Sequence, residues 1–155
     1  MNDYLVYLDL PTIPEELLES IEEIINKPPK EHTNVPAHFT YFETRPVNPR
    51  LTEWMNDIFK TSIGAQYQIV KPNITIHKDI GRNVAFNYLL KTGGDAHTCF
   101  FDDDKHLLHM EKIPVNRWHR IRTDVYHNVI GVTSDRVSVS MMLSDYKWND
   151  PLFFI

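Results

Sequence analysis

His77 and Asp79 stand one residue apart, His127 follows fifty positions after His77, and Arg136 and Ser138 come nine and eleven positions after His127. Two imidazoles and one carboxylate form the ligand set that holds Fe(II) on one face and leaves three coordination positions open. An arginine is a permanent cation whose planar fork matches a carboxylate, and a nearby hydroxyl can donate to the same anion. Arg136 with Ser138 is therefore equipped to hold the far carboxylate of a 2-oxo diacid. A metal set alone discriminates little; a metal set followed by an anion clamp in this order discriminates far more.

The tripeptide His-x-Asp/Glu decides nothing by itself. With 8 His and 21 Asp plus Glu in 155 residues, chance supplies about one, and the chain has two, His77-x-Asp79 and His109-x-Glu111. Order and distance separate them. In a double-stranded β-helix the proximal pair and the distal His sit on strands with several others between, so roughly 40–60 residues must intervene at 8–12 residues per strand and turn. His77 to His127 fits, whereas His109 to His127 is too short and no later His exists. His109 and Glu111 are expected to be solvated strand residues.

The elements that must position these groups are strands with one polar face. In the run from Asn73 to Asp79 the polar residues Asn73, Thr75, His77 and Asp79 alternate with Ile74 and Ile76. Alternate residues of a strand share a face, so His77 and Asp79 point the same way. Arg136, Ser138 and Ser140 alternate in the same manner with Val137, Val139 and Met141. Such strands suit a barrel whose inside is a wet site; an ordinary sandwich strand with its polar side in solvent is the other reading.

The stretches HKDIGRNVAFNYLL, HTCFF and WHRIRTDVYHNVIGVTSDRVSVSMML resemble the core of the 2-oxoglutarate/Fe(II)-dependent oxygenase superfamily, from about Asn73 to Leu143. In detail they are similar to small phage-type members related to prolyl hydroxylases. The resemblance implies a double-stranded β-helix (a cupin-like jelly roll), iron on His77, Asp79 and His127, and 2-oxoglutarate on Arg136 with Ser138. It implies hydroxylation of an organic substrate with 2-oxoglutarate and O2 as co-substrates; halogenation is disfavoured because Asp79 fills the position a halide would need. Asn87, on the strand beside the metal strand, is a candidate co-substrate contact, with a structural hydrogen bond as its other reading. Tyr67 could reach the distal carboxylate through its hydroxyl, although a buried core Tyr is the default. The first seventy residues carry no part of the resemblance, and it does not reach the substrate.

Composition bounds the rest. A chain of 155 residues reads as a single domain over 1–155, able to bury a real core. Residues 1–64 supply an N-terminal strand and helices and 65–145 the β-helix core. A net charge of −5 argues against a general nucleic-acid binder, which shows a basic stripe. The single Cys99 excludes an intrachain disulfide and suits a reducing compartment. The N-terminal MNDYLVYLDL has neither a basic n-region nor a long apolar run, so no membrane span is expected and a cytoplasmic location is (the host cytoplasm for a phage-encoded chain).

Along the chain a strand is expected at Tyr4–Leu10 and a helix after Pro14, with Leu17, Leu18, Ile21, Ile24 and Ile25 at helical spacing, stopped by Pro28-Pro29. Residues 30–47 read as loop with a strand at His38–Phe42. A second helix starts at Asn48-Pro49, cap then N1 proline, and runs through Leu51, Trp54, Met55, Ile58 and Phe59. Eight strands follow, at 65–71, 73–79, 84–90, 96–101, 106–113, 118–123, 127–131 and 136–143, with turns at Gly81, Gly93-Gly94, the Asp102–Asp104 run, Val115-Asn116 and Ser134-Asp135. His32, His38, His106 and His119 have no partner that spacing can supply. Two rival readings stay open: a non-catalytic β-helix binding or structural module, and a cupin-type metalloprotein that does not use 2-oxoglutarate, although a cupin wants more histidines and has no use for Arg136.

Overall fold

The long strands of this chain each carry two messages, one per face, and the fold separates them. The computed structural model describes residues 3–29, 42–60, 64–72, 74–143 and 145–152. In chain order its elements are β1 (Leu5–Tyr7), α1 (Ile21–Asn26), β2 (Phe42–Pro46), α2 (Pro49–Phe59), β3 (Gly64–Val70), β4 (Val84–Lys91), β5 (His97–Phe101), β6 (Leu107–Glu111), β7 (Trp118–Arg122), β8 (Tyr126–Ile130) and β9 (Arg136–Met142). One sheet has the order β1-β7-β4-β9-β3-β2 and a second the order β6-β5-β8, antiparallel throughout. From β3 onward the chain crosses repeatedly between the sheets, the winding of a double-stranded β-helix. The expected jelly roll with helices on its outside is what forms.

Strand parity sorts the residues. Tyr67 and Ile69 of β3, Val84, Phe86 and Tyr88 of β4, Trp118 of β7, and Val137, Val139 and Met141 of β9 share one apolar cluster with Leu51, Met55 and Phe59 of α2. Those three helix residues recur every four positions on one face, and Phe59 meets Trp118 edge-on at 5.3 Å between ring centroids. The opposite face of the same strands carries Gln66, Gln68, Asn87, His119, Arg136, Ser138 and Ser140, all buried. A small apolar group, Leu5, Leu89, Phe100 and Ile113, closes part of the space between the sheets; the rest of that space is polar.

The local chemistry accounts for the ends of the helices. Asn48 caps α2 by accepting from the Leu51 N–H at 2.9 Å, with Pro49 at the first helical position, as expected. The first helix differs from its expected form. A single 3₁₀ turn at Glu15–Leu17 is followed by extended Leu18, and α1 begins only at Ile21. The cause is Ser20, an N-cap whose Oγ accepts from the Glu23 N–H at 3.1 Å and donates to the Glu23 carboxylate at 3.2 Å, which sets a fresh start.

Two further expectations are corrected. Residues 74–79 do not form a full strand; they touch β8 through one bridge, His77 opposite His127, and Asn73 lies outside the described residues. The next ladder bond is lost because the Asp79 N–H goes to the Thr123 carbonyl at 2.9 Å. Of the strand expected at His38–Phe42 only Phe42 is among the described residues, and it opens β2 (Phe42–Pro46), which pairs with β3; residues 38–41 lie outside the described residues, as does His32. His109 and Glu111 are half-buried and paired where fully solvated residues are expected: they hydrogen-bond each other at 2.9 Å, and Tyr7 donates to Glu111 at 2.6 Å. The solvent face of β6 is instead apolar, with Leu108 and Met110 exposed.

Candidate metal centre

His77 and His127 are direct cross-strand partners. Each backbone N–H donates to the other residue's carbonyl, at 3.1 and 2.9 Å, so their side chains rise side by side from one face. The ring centroids are 4.5 Å apart. Asp79, two residues on, completes the group, and one ligand atom from each of the three lies within 4.8 Å of the others. Asp79 Oδ1 is 3.5 Å from His77 Nε2 and 3.3 Å from His127 Nε2.

The tautomers are fixed from behind. His77 Nδ1 donates to the Thr75 carbonyl at 2.7 Å and His127 Nδ1 to the Val125 carbonyl at 2.8 Å. With both Nδ1 atoms donating, both Nε2 atoms face Asp79, where they donate to its carboxylate without a metal and would offer their lone pairs to a metal that displaced those protons. Burial works against the charge of Asp79. Hydrogen bonds from His127 and His77 and the Arg82 guanidinium outweigh it, and hold the carboxyl well below the ordinary carboxylate range. Burial likewise opposes charge on His77, but its contacts with Asp79 and the Thr75 carbonyl raise its pKa above the usual value. A divalent cation fits this donor set: two aimed nitrogens, one ionised oxygen, and no competing donor between them. A second group, Asp102, Asp104 and His106, meets the same spacing. There Asp102 Oδ1 is already occupied by the Asp104 and His106 N–H groups at 2.9 and 2.8 Å, and the group is a turn, as its sequence implies.

The three residues open onto a cavity between the sheets with about 70 Å³ available to the centres of water molecules, where roughly 10–15 Å³ serves for one. Arg136 and Ser138 line it from β9, Asn87 from β4, and Gln68 from β3. Arg136 is 6% exposed. Its Nη1 donates to the Thr92 carbonyl at 2.9 Å, and burial pulls its pKa down to about 10, so it stays cationic at neutral pH. No carboxylate pairs with it among the described residues. Asn87 Oδ1 is buried without a hydrogen-bond partner there.

Tyr67 is not part of this cavity. Its ring lies in the apolar cluster under α2, and its hydroxyl donates to Glu19 at 3.2 Å. Strand parity is the reason: Tyr67 follows Ala65 and precedes Ile69 on the helix-facing side, while Gln66 and Gln68 take the other. Several cavity residues have no role in the sequence reading. His119 and Thr98 line the wall, and Asn128 presents a second buried Oδ1 without a partner. His119 is opposite Asn87 in the β4–β7 register, a pairing that spacing alone does not reveal.

No protein-family profile matches the chain, and a search of curated proteins finds no match. Solved structures of similar shape include an oxidoreductase of the 2OG-Fe(II) oxygenase family from Burkholderia pseudomallei, at 13% identity over 80% of this chain and 75% of that one, with a TM-score of 0.48. A prolyl-4-hydroxylase from Pseudomonas putida matches at 13% over 64% and 67%, with a TM-score of 0.42. The coconut allergen cocosin matches at 14% over 85% and 36%, also at 0.42. Likeness at this level bears on the fold alone, and what the site can do rests on its own geometry.

Proposed function

We propose that the chain is an Fe(II)- and 2-oxoglutarate-dependent dioxygenase that hydroxylates an organic substrate. The observation that carries this reading is the charge of the cavity wall. Its ionised lining residues are Asp79, Arg82 and Arg136, two cations against one carboxylate, and a divalent metal on neutral imidazoles would bring the surplus to three positive charges. A buried surplus of that size is costly unless an anion enters. A 2-oxo diacid supplies two negative charges, one at the metal and one for Arg136 to hold with its free donors.

With 2-oxoglutarate and O2, the iron of such a site supplies the oxidative chemistry that turns a C–H bond into C–OH. The chain's own contributions are positional. The Thr75 and Val125 carbonyls hold the imidazole rings at the angle a metal requires, Arg136 and Ser138 set the far end of the co-substrate, and the Leu5–Leu89–Phe100–Ile113 group keeps water from that side. A cytoplasmic location belongs to this reading, since a reducing compartment favours Fe(II) and suits a chain whose one cysteine, Cys99, is buried and free. No helix among the described residues is long and apolar enough to cross a membrane.

The test is a thermal melt without oxygen. Mn(II)-loaded protein should gain about 2.7 kcal/mol at a 2-oxoglutarate concentration of 100 Kd. Arg136→Gln should keep the metal and lose most of that gain, while Asp79→Ala and His127→Ala should lose the metal itself. Succinate should stabilise less, because it lacks the chelating 2-oxo acid. A protein that binds metal without responding to 2-oxoglutarate is a cupin, and one that responds to neither is an inert module; either result ends the dioxygenase reading.

A further inference from the structure

Arg82 does something unusual for an arginine beside a carboxylate. A guanidinium facing a carboxylate commonly shares its nitrogens between the two oxygens. Here both nitrogens converge on one oxygen: Nε lies 2.9 Å and Nη2 2.7 Å from Asp79 Oδ2. The third nitrogen, Nη1, donates to Ser140 Oγ at 3.2 Å, on β9. The backbone of the same turn is pinned as well, since the Arg82 carbonyl accepts from Thr123 Oγ at 2.8 Å and the Asp79 N–H donates to the Thr123 carbonyl at 2.9 Å. Oδ1 is left as the one oxygen of Asp79 that faces His77 and His127. The guanidinium is part-buried and anchored at both ends, so its grip is not that of a solvated surface pair.

We propose that Arg82 is a positioning residue that keeps Asp79 a one-oxygen ligand by occupying Oδ2, and so preserves the third open coordination position of the metal. The inference rests on the metal reading above. A carboxylate with both oxygens free can turn to chelate a cation through both, which would consume a position that the co-substrate and O2 need. Two donors on Oδ2, tied to a different strand through Ser140, prevent that turn. Because the Arg82 charge also repels a divalent cation, its value to the site lies in geometry and not in affinity. Loss of metal binding is therefore not the signature to seek.

The readout is the number of exchangeable water molecules on bound Mn(II), measured by ¹⁷O-water broadening of the electron paramagnetic resonance lines in the whole chain without co-substrate. Arg82→Met keeps the packing of the stem but removes the donors. It should retain Mn(II) and show one fewer exchangeable water than the wild type, with 2-oxoglutarate affinity reduced tenfold or more. Arg82→Lys, which can still reach Oδ2 with one ammonium, should restore the wild-type count. If the Met variant does not fold, Arg82→Gln gives the same reading with a side chain too short to span from Asp79 to Ser140. A wild-type water count in the Met or Gln variant overturns the inference and leaves the metal reading intact. A wild-type protein that binds no Mn(II) overturns both.

Discussion

His119 lies in the cavity wall at 3% exposure, with Nδ1 donating to the Arg117 carbonyl at 3.1 Å. Burial, helped by the Arg136 charge and opposed by that carbonyl, pulls its pKa down to about 4. The folded protein therefore keeps the ring neutral, whereas the unfolded chain takes up a proton below about pH 6.5. The stability of the neutral ring is complete above pH 6.5 and is lost as the pH falls from there toward 4. By pH 5 the loss should be about 2 kcal/mol, at about 1.4 kcal/mol per pH unit. Urea melts at pH 7.5 and 5.0 should show His119→Gln losing less than the wild type by that amount; equal losses would mean that the ring is not held neutral. At this scale the sequence was legible where chemistry and parity agreed. His77 and Asp79 share a face because one residue separates them. The same rule, applied to Gln66-Tyr67-Gln68, assigns Tyr67 to the apolar side and Gln68 to the cavity, so that information was present as well. His119 was not legible, because its role depends on a partner strand thirty residues away in sequence.

Elements were legible where a local device defines them. Asn48-Pro49 starts α2, and the alternation in β9 delivers Arg136 and Ser138 to one side and Val137 and Val139 to the other. Besides the first helix, split by the Ser20 cap, the strand expected at 73–79 failed: its pattern is that of a strand, but the backbone of 74–79 is committed elsewhere. The Thr75 carbonyl is taken by the His77 imidazole and the Asp79 N–H by Thr123. Ladder bonds are given up so that ligands can be aimed. Another element with a site-bearing duty is the turn before β5. Gly93 has φ +75°, and a Cβ there would lie 2.7 Å from the Ser134 carbonyl oxygen and 3.0 Å from Arg136 Cβ. Its own carbonyl accepts from Thr133 and Ser134, while neighbouring Thr92 holds the Arg136 guanidinium. Gly93→Ala should cost about 1–3 kcal/mol from the strained backbone and push the start of β9. Titration calorimetry should then show weaker 2-oxoglutarate binding with Mn(II) affinity within about twofold of wild type. An unchanged 2-oxoglutarate affinity would separate the turn from the anion site.

Across the whole molecule, dry packing and wet chemistry occupy different layers. The helices and the outer face of the large sheet hold the main apolar cluster, and the space between the sheets is given mainly to polar side chains. Residues 1–64, silent in motif terms, supply both edges of the large sheet, β1 against β7 and β2 against β3; no pattern in 155 residues announces which strand pairs with which edge, because pairing partners are set by topology and not by local spacing. The joint between the layers has one weak seam. Among the described residues, 74–79 join the ladder of the small sheet through the two reciprocal hydrogen bonds of His77 and His127, so the part of the segment before Asp79, which Thr123 and Arg82 pin, can part from β8 without opening any other ladder. The two rings that would grip a metal straddle that seam. In stripped protein the His77 and His127 amide protons should trade with deuterated water quickly, and proteases should cut near Lys78. In Mn(II)-loaded protein both events should wait for the ion to leave. Amide exchange followed by mass spectrometry at these two positions would then be a stopwatch for the residence of the metal, with the edge of a sheet as its hand.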